Sequence, residues 1–129
     1  MLNVGIKGIE KITVTHDKSA RVMESGTLNV FATPSMAALM EKTAWVSVQP
    51  FLEDGQCSVG TKLNLLHLSS TPVGMSVTCE SELVEIDGRK LVFRILVSDE
   101  CGPIGEADHE RFIVDSEKFQ FKTDSKGKK

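Results

Sequence analysis

Between Lys11 and His16 the chain alternates, with Ile12 and Val14 on one side and the β-branched Thr13 and Thr15 on the other, which predicts a strand. Asp17 to Thr27 is polar and predicts a loop, with room for a short turn of helix. Thr33-Pro34 marks a helix start, since Thr serves well as an N-cap and Pro suits the first helical position. The helix is expected from Pro34 to about Gln49, closed by Pro50 and the Glu53-Asp54-Gly55 turn. After Gly55 the helical period gives way to alternation. Cys57–Leu68 and Gly74–Ile86 read as long strands, and Asp87-Gly88 as a hairpin turn into a third at Arg89–Ser98. The Asp99–Gly102 turn leads into a fourth at Ile104–Val114.

One long helix followed by an antiparallel run of strands predicts an α+β architecture, in which a sheet wraps a single central helix and buries its apolar stripe. Exposed edge strands in such a sheet favour a dimer that continues it. With 129 residues, one domain over 1–129 is expected, its basic tail from about residue 123 frayed. A composition of 40% hydrophobic and 26% charged residues argues against a disordered chain or a disulfide scaffold. Fifteen basic against eighteen acidic residues leave a charge of −3, scattered rather than patched, so neither nucleic acid nor a membrane surface is an expected partner. Cys57, Cys79 and Cys101 are odd in number and widely spaced, without the spacing of a disulfide framework or a zinc site. Reduced thiols, an opening that lacks a signal peptide's apolar run and no span of membrane length together predict a cytoplasmic protein.

The helix carries the informative residues. Spacing by 100° puts Ala37, Ala38, Ala44, Trp45 and Val48 on one apolar face with Glu41 in its middle. A carboxylate there is costly unless paired, hydrogen-bonded or protonated, so Glu41 is either a structural group at a seam or a perturbed functional one. His67 repeats the anomaly on a strand, sharing a face with Thr61, Leu63 and Leu65. A lone histidine on such a face is more often a satisfied core group. Two ionisable groups on faces that should meet suggest an acid/base pair. Thr33 is explained as the N-cap, yet it also stands where helix N–H groups favour developing negative charge. Arg111 alternates with Ala107, His109 and Ile113, and is a buried partner for Glu41, a ligand clamp or a solvated surface group. Gly60 inside a strand marks close approach by another backbone or a ligand. No phosphate loop, dinucleotide fingerprint or metal-ligand cluster occurs, so no cofactor and no metal are expected and chemistry would rest on Glu, His and Thr.

The stretch Val30-Phe31-Ala32-Thr33-Pro34-Ser35-Met36-Ala37-Ala38-Leu39-Met40-Glu41 resembles the helix start of the hotdog-fold thioesterases related to fluoroacetyl-CoA thioesterase. Ser58-Val59-Gly60-Thr61, Leu65-Leu66-His67 and Ser70-Thr71-Pro72-Val73-Gly74 resemble the same family, and the likeness runs from about Val30 to Lys122. The resemblance implies a hotdog fold, a long helix wrapped by an antiparallel sheet, and a homodimer or larger assembly with active sites at the subunit interface. It implies hydrolysis of an acyl-CoA thioester, with the family's threonine, glutamate and histidine on Thr33, Glu41 and His67. Its glycine near the acyl group falls on Gly60 and its late-strand arginine on Arg111. Glu41 would be nucleophile or general base, His67 its acid/base partner, and Thr33 a hydrogen-bonding group on the thioester. The fluoroacetyl-selective enzyme has phenylalanines ahead of the helix as an apolar lid, whereas Arg21 to Asn29 contains no aromatic residue. A broader short-chain acyl range is therefore expected. The competing readings are a hotdog hydratase or dehydratase acting on CoA thioesters and a non-catalytic acyl-CoA binding module.

Overall fold

In the computed structural model, which describes residues 1–127, a sixteen-residue helix lies against one face of a five-stranded antiparallel sheet. In chain order the elements are β1 (Lys7–Thr13), α1 (Ala20–Met23), α2 (Thr33–Val48), β2 (Gln56–His67), β3 (Ser76–Asp87), β4 (Lys90–Asp99), β5 (Gly102–Asp115) and α3 (Ser116–Asp124). The strands are ordered β1-β3-β4-β5-β2, so β2 follows the helix directly in sequence yet closes the far edge of the sheet. The expected wrapped helix and exposed edges are both found.

The stripe that α2 buries differs from the expected one. Met36, Leu39, Met40, Thr43, Ala44 and Val48 point into the core, where they join Val77 and Leu83 of β3, Phe93 and Ile95 of β4, and Ile104 and Ala107 of β5. Ala38 and Trp45, assigned to the core face by helical spacing, are exposed, Trp45 to 41%. The helix is apolar on two sides, so its period does not single one out. The longer Met and Leu side chains remove more apolar surface from water and therefore take the inner face. Glu41 thus lies on a second, small-residue face that a single chain leaves open.

Strand β1 begins four residues earlier than its alternation suggests, because the inward positions Gly8 and Glu10 are not apolar. Glu10 is matched instead by Lys42 of α2 at 3.7 Å. The unforeseen α3 starts where Asp115 Oδ1 accepts the Lys118 backbone N–H at 3.1 Å, an N-cap. The tail expected to fray from residue 123 continues α3 to Asp124 and then makes a 3-10 turn over Ser125–Gly127. Lys128 and Lys129 of that tail lie outside the described residues.

Two local features fix the start of α2. The buried Phe31 donates its N–H to Thr71 O at 2.8 Å, and the Ala32 N–H donates to Lys18 O at 2.9 Å. Thr71, itself buried, donates its hydroxyl to Asp99 Oδ2 at 2.7 Å. The entry to the helix is therefore tied to the loop that follows β2. Beneath it, a Cβ on Gly105 would stand 2.6 Å from Met36 Sδ, so only glycine lets β5 pass this close to the helix. Gly105 is paired with His67, the last residue of β2.

Candidate active site

Thr33 is the first residue of α2 rather than its cap; Ala32, with extended backbone, holds the cap position. The expected capping role is thus not the one its side chain plays. Thr33 Oγ1 lies 2.7 Å from His67 Nδ1, a bond between the helix N-terminus and the end of the edge strand. His67 continues the inward face of Leu63 and Leu65, which pack on the core, and is itself half-buried. Burial pushes its imidazole below the ordinary 6.5, so the ring is neutral at pH 7 and has one nitrogen free to accept a proton. The pair opens onto a shallow hollow lined by Leu68, Ser69 and Ser70.

Glu41 occupies a separate place. Eight residues of helix carry it about 12 Å along the axis from Thr33, and there it meets β2 and β5. Its Oε2 lies 3.9 Å from Arg111 Nη1. A Cβ on Gly60 would stand 2.6 Å from the same oxygen, so the absence of a side chain at Gly60 is what admits the carboxylate. The ladder between β2 and β5 shifts register between Gly60 and Lys62, leaving Thr61 as an extra, exposed residue next to Gly60. Within one chain, then, the expected pairing of Glu41 with His67 is replaced by two clusters, Thr33 with His67 and Glu41 with Gly60 and Arg111.

Comparison with known proteins shows the family that carries this arrangement. The family model described as fluoroacetyl-CoA-specific thioesterase matches residues 14–117. The chain is 39% identical over 97 residues to the fluoroacetyl-CoA thioesterase of Streptantibioticus cattleyicolor, covering 75% of this chain and 70% of that one. The chain belongs to the fluoroacetyl-CoA-specific thioesterase family. A solved structure of the fluoroacetyl-CoA thioesterase FlK superimposes with a TM-score of 0.92 at 32% identity, over 98% of each chain. A Thermus thermophilus member of the thioesterase superfamily superimposes with a TM-score of 0.89 at 26% identity, over 97% of this chain and 93% of that one.

In this family member Arg111 is neither a surface group nor loosely held, being only 6% exposed. Its Nε donates to Ser58 Oγ at 2.7 Å and its Nη2 to Ser58 O at 2.9 Å. Nη1 lies 3.2 Å from Nε2 of the fully buried His109, whose Nδ1 lies 2.8 Å from Lys62 O. The sequence leaves His109 as ambiguous as Arg111, and Ser58 enters it only as part of the motif Ser58-Val59-Gly60-Thr61, without a role of its own. The inward alternation Ala107, His109, Arg111, Ile113 carried the signal for His109, and Ser58 stood two residues before the singled-out Gly60. Ahead of the helix, where a lid would lie, Val22, Met23 and Leu28 are exposed aliphatic side chains. Among the described residues no helix is long and apolar enough to cross a membrane.

Proposed function

We propose that this chain hydrolyses short-chain acyl-CoA thioesters to the free acid and CoA, at a site that two copies complete together. The observation that carries this reading is the separation of the two clusters on α2 in a member of a thioesterase family. Thr33 with His67 stands at one end of the exposed β2 edge, and Glu41 with Gly60 stands further back along it. A second copy that pairs antiparallel along β2 around Asn64 sets the partner's His67 opposite the Gly60–Thr61 bulge. The inward-facing positions support this register, since Leu63 then opposes the partner's Leu65. Edge pairing also satisfies backbone groups that a twelve-residue edge strand otherwise leaves open.

In that site Glu41 supplies the carboxylate, which attacks the thioester carbon or deprotonates the water that does. Thr33, at the helix N-terminus, holds the thioester oxygen as it gains negative charge. The proton that leaves the attacking water passes by way of Glu41 to His67, which is neutral at the start, and the resulting imidazolium delivers it to the departing CoA sulfur. The thioester C–S bond breaks, water provides the new carboxyl oxygen, and the products are acid and thiol. The reaction needs no cofactor. The aliphatic segment ahead of the helix supports a broader acyl range than fluoroacetyl alone, and the free thiols support a cytoplasmic setting.

The test is release of free thiol from acetyl-, propionyl- and fluoroacetyl-CoA by the wild type and by Glu41→Gln. The reading expects turnover of more than one ester and a loss of roughly 10²–10⁴-fold in the variant. Saturable binding of the esters without thiol release would instead favour a binding module, and a changed acyl chain on intact CoA a hydratase.

A further inference from the structure

We infer that His109, a buried histidine outside the Thr33, Glu41 and His67 set, is a positioning residue that aims Arg111 at Glu41. This rests on the proposed hydrolysis for its consequences and on the geometry alone for its arrangement. Lys62 O can only accept, so at 2.8 Å His109 Nδ1 must carry a hydrogen and donate it. In the neutral ring Nε2 then has a lone pair, and it accepts from Arg111 Nη1 at 3.2 Å. An arginine has no acceptor, so the reverse assignment leaves two donors facing each other in a buried place. Burial keeps the ring neutral, and the neighbouring Arg111 charge acts in the same direction.

The consequence is a guanidinium fixed on three sides. Ser58 accepts from Nε and Nη2, His109 Nε2 accepts from Nη1, and Glu41 Oε2 lies 3.9 Å from that same Nη1. The charged and titratable groups around this network are Glu41 on α2, Cys57 on β2, and Glu110 and Arg111 on β5. Glu110 faces the other side of the sheet, where Lys62 pairs with it at 4.0 Å. Glu41 is therefore the carboxylate on which the arginine bears, and His109 sets the angle at which it does so without touching substrate.

Two experiments test the arrangement and its effect. Long-range 1H–15N correlation on the full chain should show the His109 ring with Nδ1 protonated and Nε2 bare across the neutral pH range. A spectrum with Nε2 protonated would overturn the inference whether or not the protein is an esterase. In thiol-release assays His109→Leu should lower kcat by about ten- to a hundredfold with little change in KM, the scale expected when a catalytic group is misaimed. His109→Gln, whose amide can donate to Lys62 O and accept from Arg111, should recover most of that loss. Should His109→Leu fail to fold, Ser58→Ala removes the Nε acceptor instead and should lower kcat in the same selective way. Unchanged kcat in His109→Leu, or in Ser58→Ala where that variant stands in, would overturn the inference, as would a His109→Gln variant no better than His109→Leu. Absence of wild-type turnover would instead count against the hydrolytic reading, and the spectrum would still decide the arrangement.

Discussion

Thr33 Oγ1 and His67 Nδ1 lie 2.7 Å apart although 34 residues separate them in sequence, so one hydrogen bond joins the first turn of α2 to the last residue of β2. The hydroxyl, not the methyl, makes this bond. Thr33→Ala should therefore reduce kcat by about 10²–10³-fold, the range seen when one donor to a developing oxyanion is removed. Thr33→Ser should retain most activity. Comparison of the two in the thiol-release assay separates the hydroxyl's role from packing.

Gly60 provides a steric prediction. An added Cβ would meet Glu41 Oε2 at 2.6 Å, and the carboxylate, half-exposed on its flexible stem, would swing away rather than strain the strand. Gly60→Ala should thus lower kcat/KM by about ten- to a hundredfold while thermal unfolding shifts by only a few degrees, about the effect of 1 kcal/mol. A large fall in Tm with intact specific activity would contradict it.

Arg111 is expected to matter for stability as well as turnover. Arg111→Lys keeps the charge but cannot hold both atoms of Ser58 and His109 Nε2 at once. Leaving such buried groups unpaired costs about 1–3 kcal/mol, and urea denaturation followed by Trp45 fluorescence would register it.

The two inward histidines make stability depend on pH. Burial holds both His67 and His109 below 6.5 in the folded chain. At a pH between the folded value and 6.5 the unfolded chain binds more protons, so stability is complete above 6.5 and falls as pH drops through that window. Asp99 and Glu100, held below 3.8 and 4.5 mainly by hydrogen bonds from Thr71 and Ser76, titrate lower and leave this range to the histidines. Unfolding free energy measured from about pH 7 to pH 5 should therefore decline. The decline should be shallower in His109→Gln.

Sequence alone reaches the architecture here because the alternation of β2 to β5 is long and their turns are punctuated by Asp-Gly and Gly. It fails where polar residues point inward or apolar ones outward. Glu10 hides the early start of β1, and the apolar coat on both sides of α2 conceals which face is core. Glu41, His67 and Gly60 are legible as anomalies of type and position, whereas Thr33 reads as an N-cap and Arg111 stays open between a buried partner, a ligand clamp and a surface group until the resemblance singles them out. Their grouping is not legible, since a helix wheel places Glu41 and Thr33 by angle and says nothing of the helical rise between them. The Ser58 and His109 supports of Arg111 depend on pairings between β2 and β5 that only the folded sheet displays.

A mixing experiment tests the shared site most directly. Glu41→Gln and His67→Ala chains, each inactive alone, are unfolded together and refolded as a mixture. If one copy supplies Glu41 and its partner the Thr33–His67 pair, each mixed dimer regains one intact site. With random pairing, about a quarter of wild-type activity per site should return. A mixture as inactive as either variant, with mixed dimers demonstrated by mass spectrometry, would contradict the account.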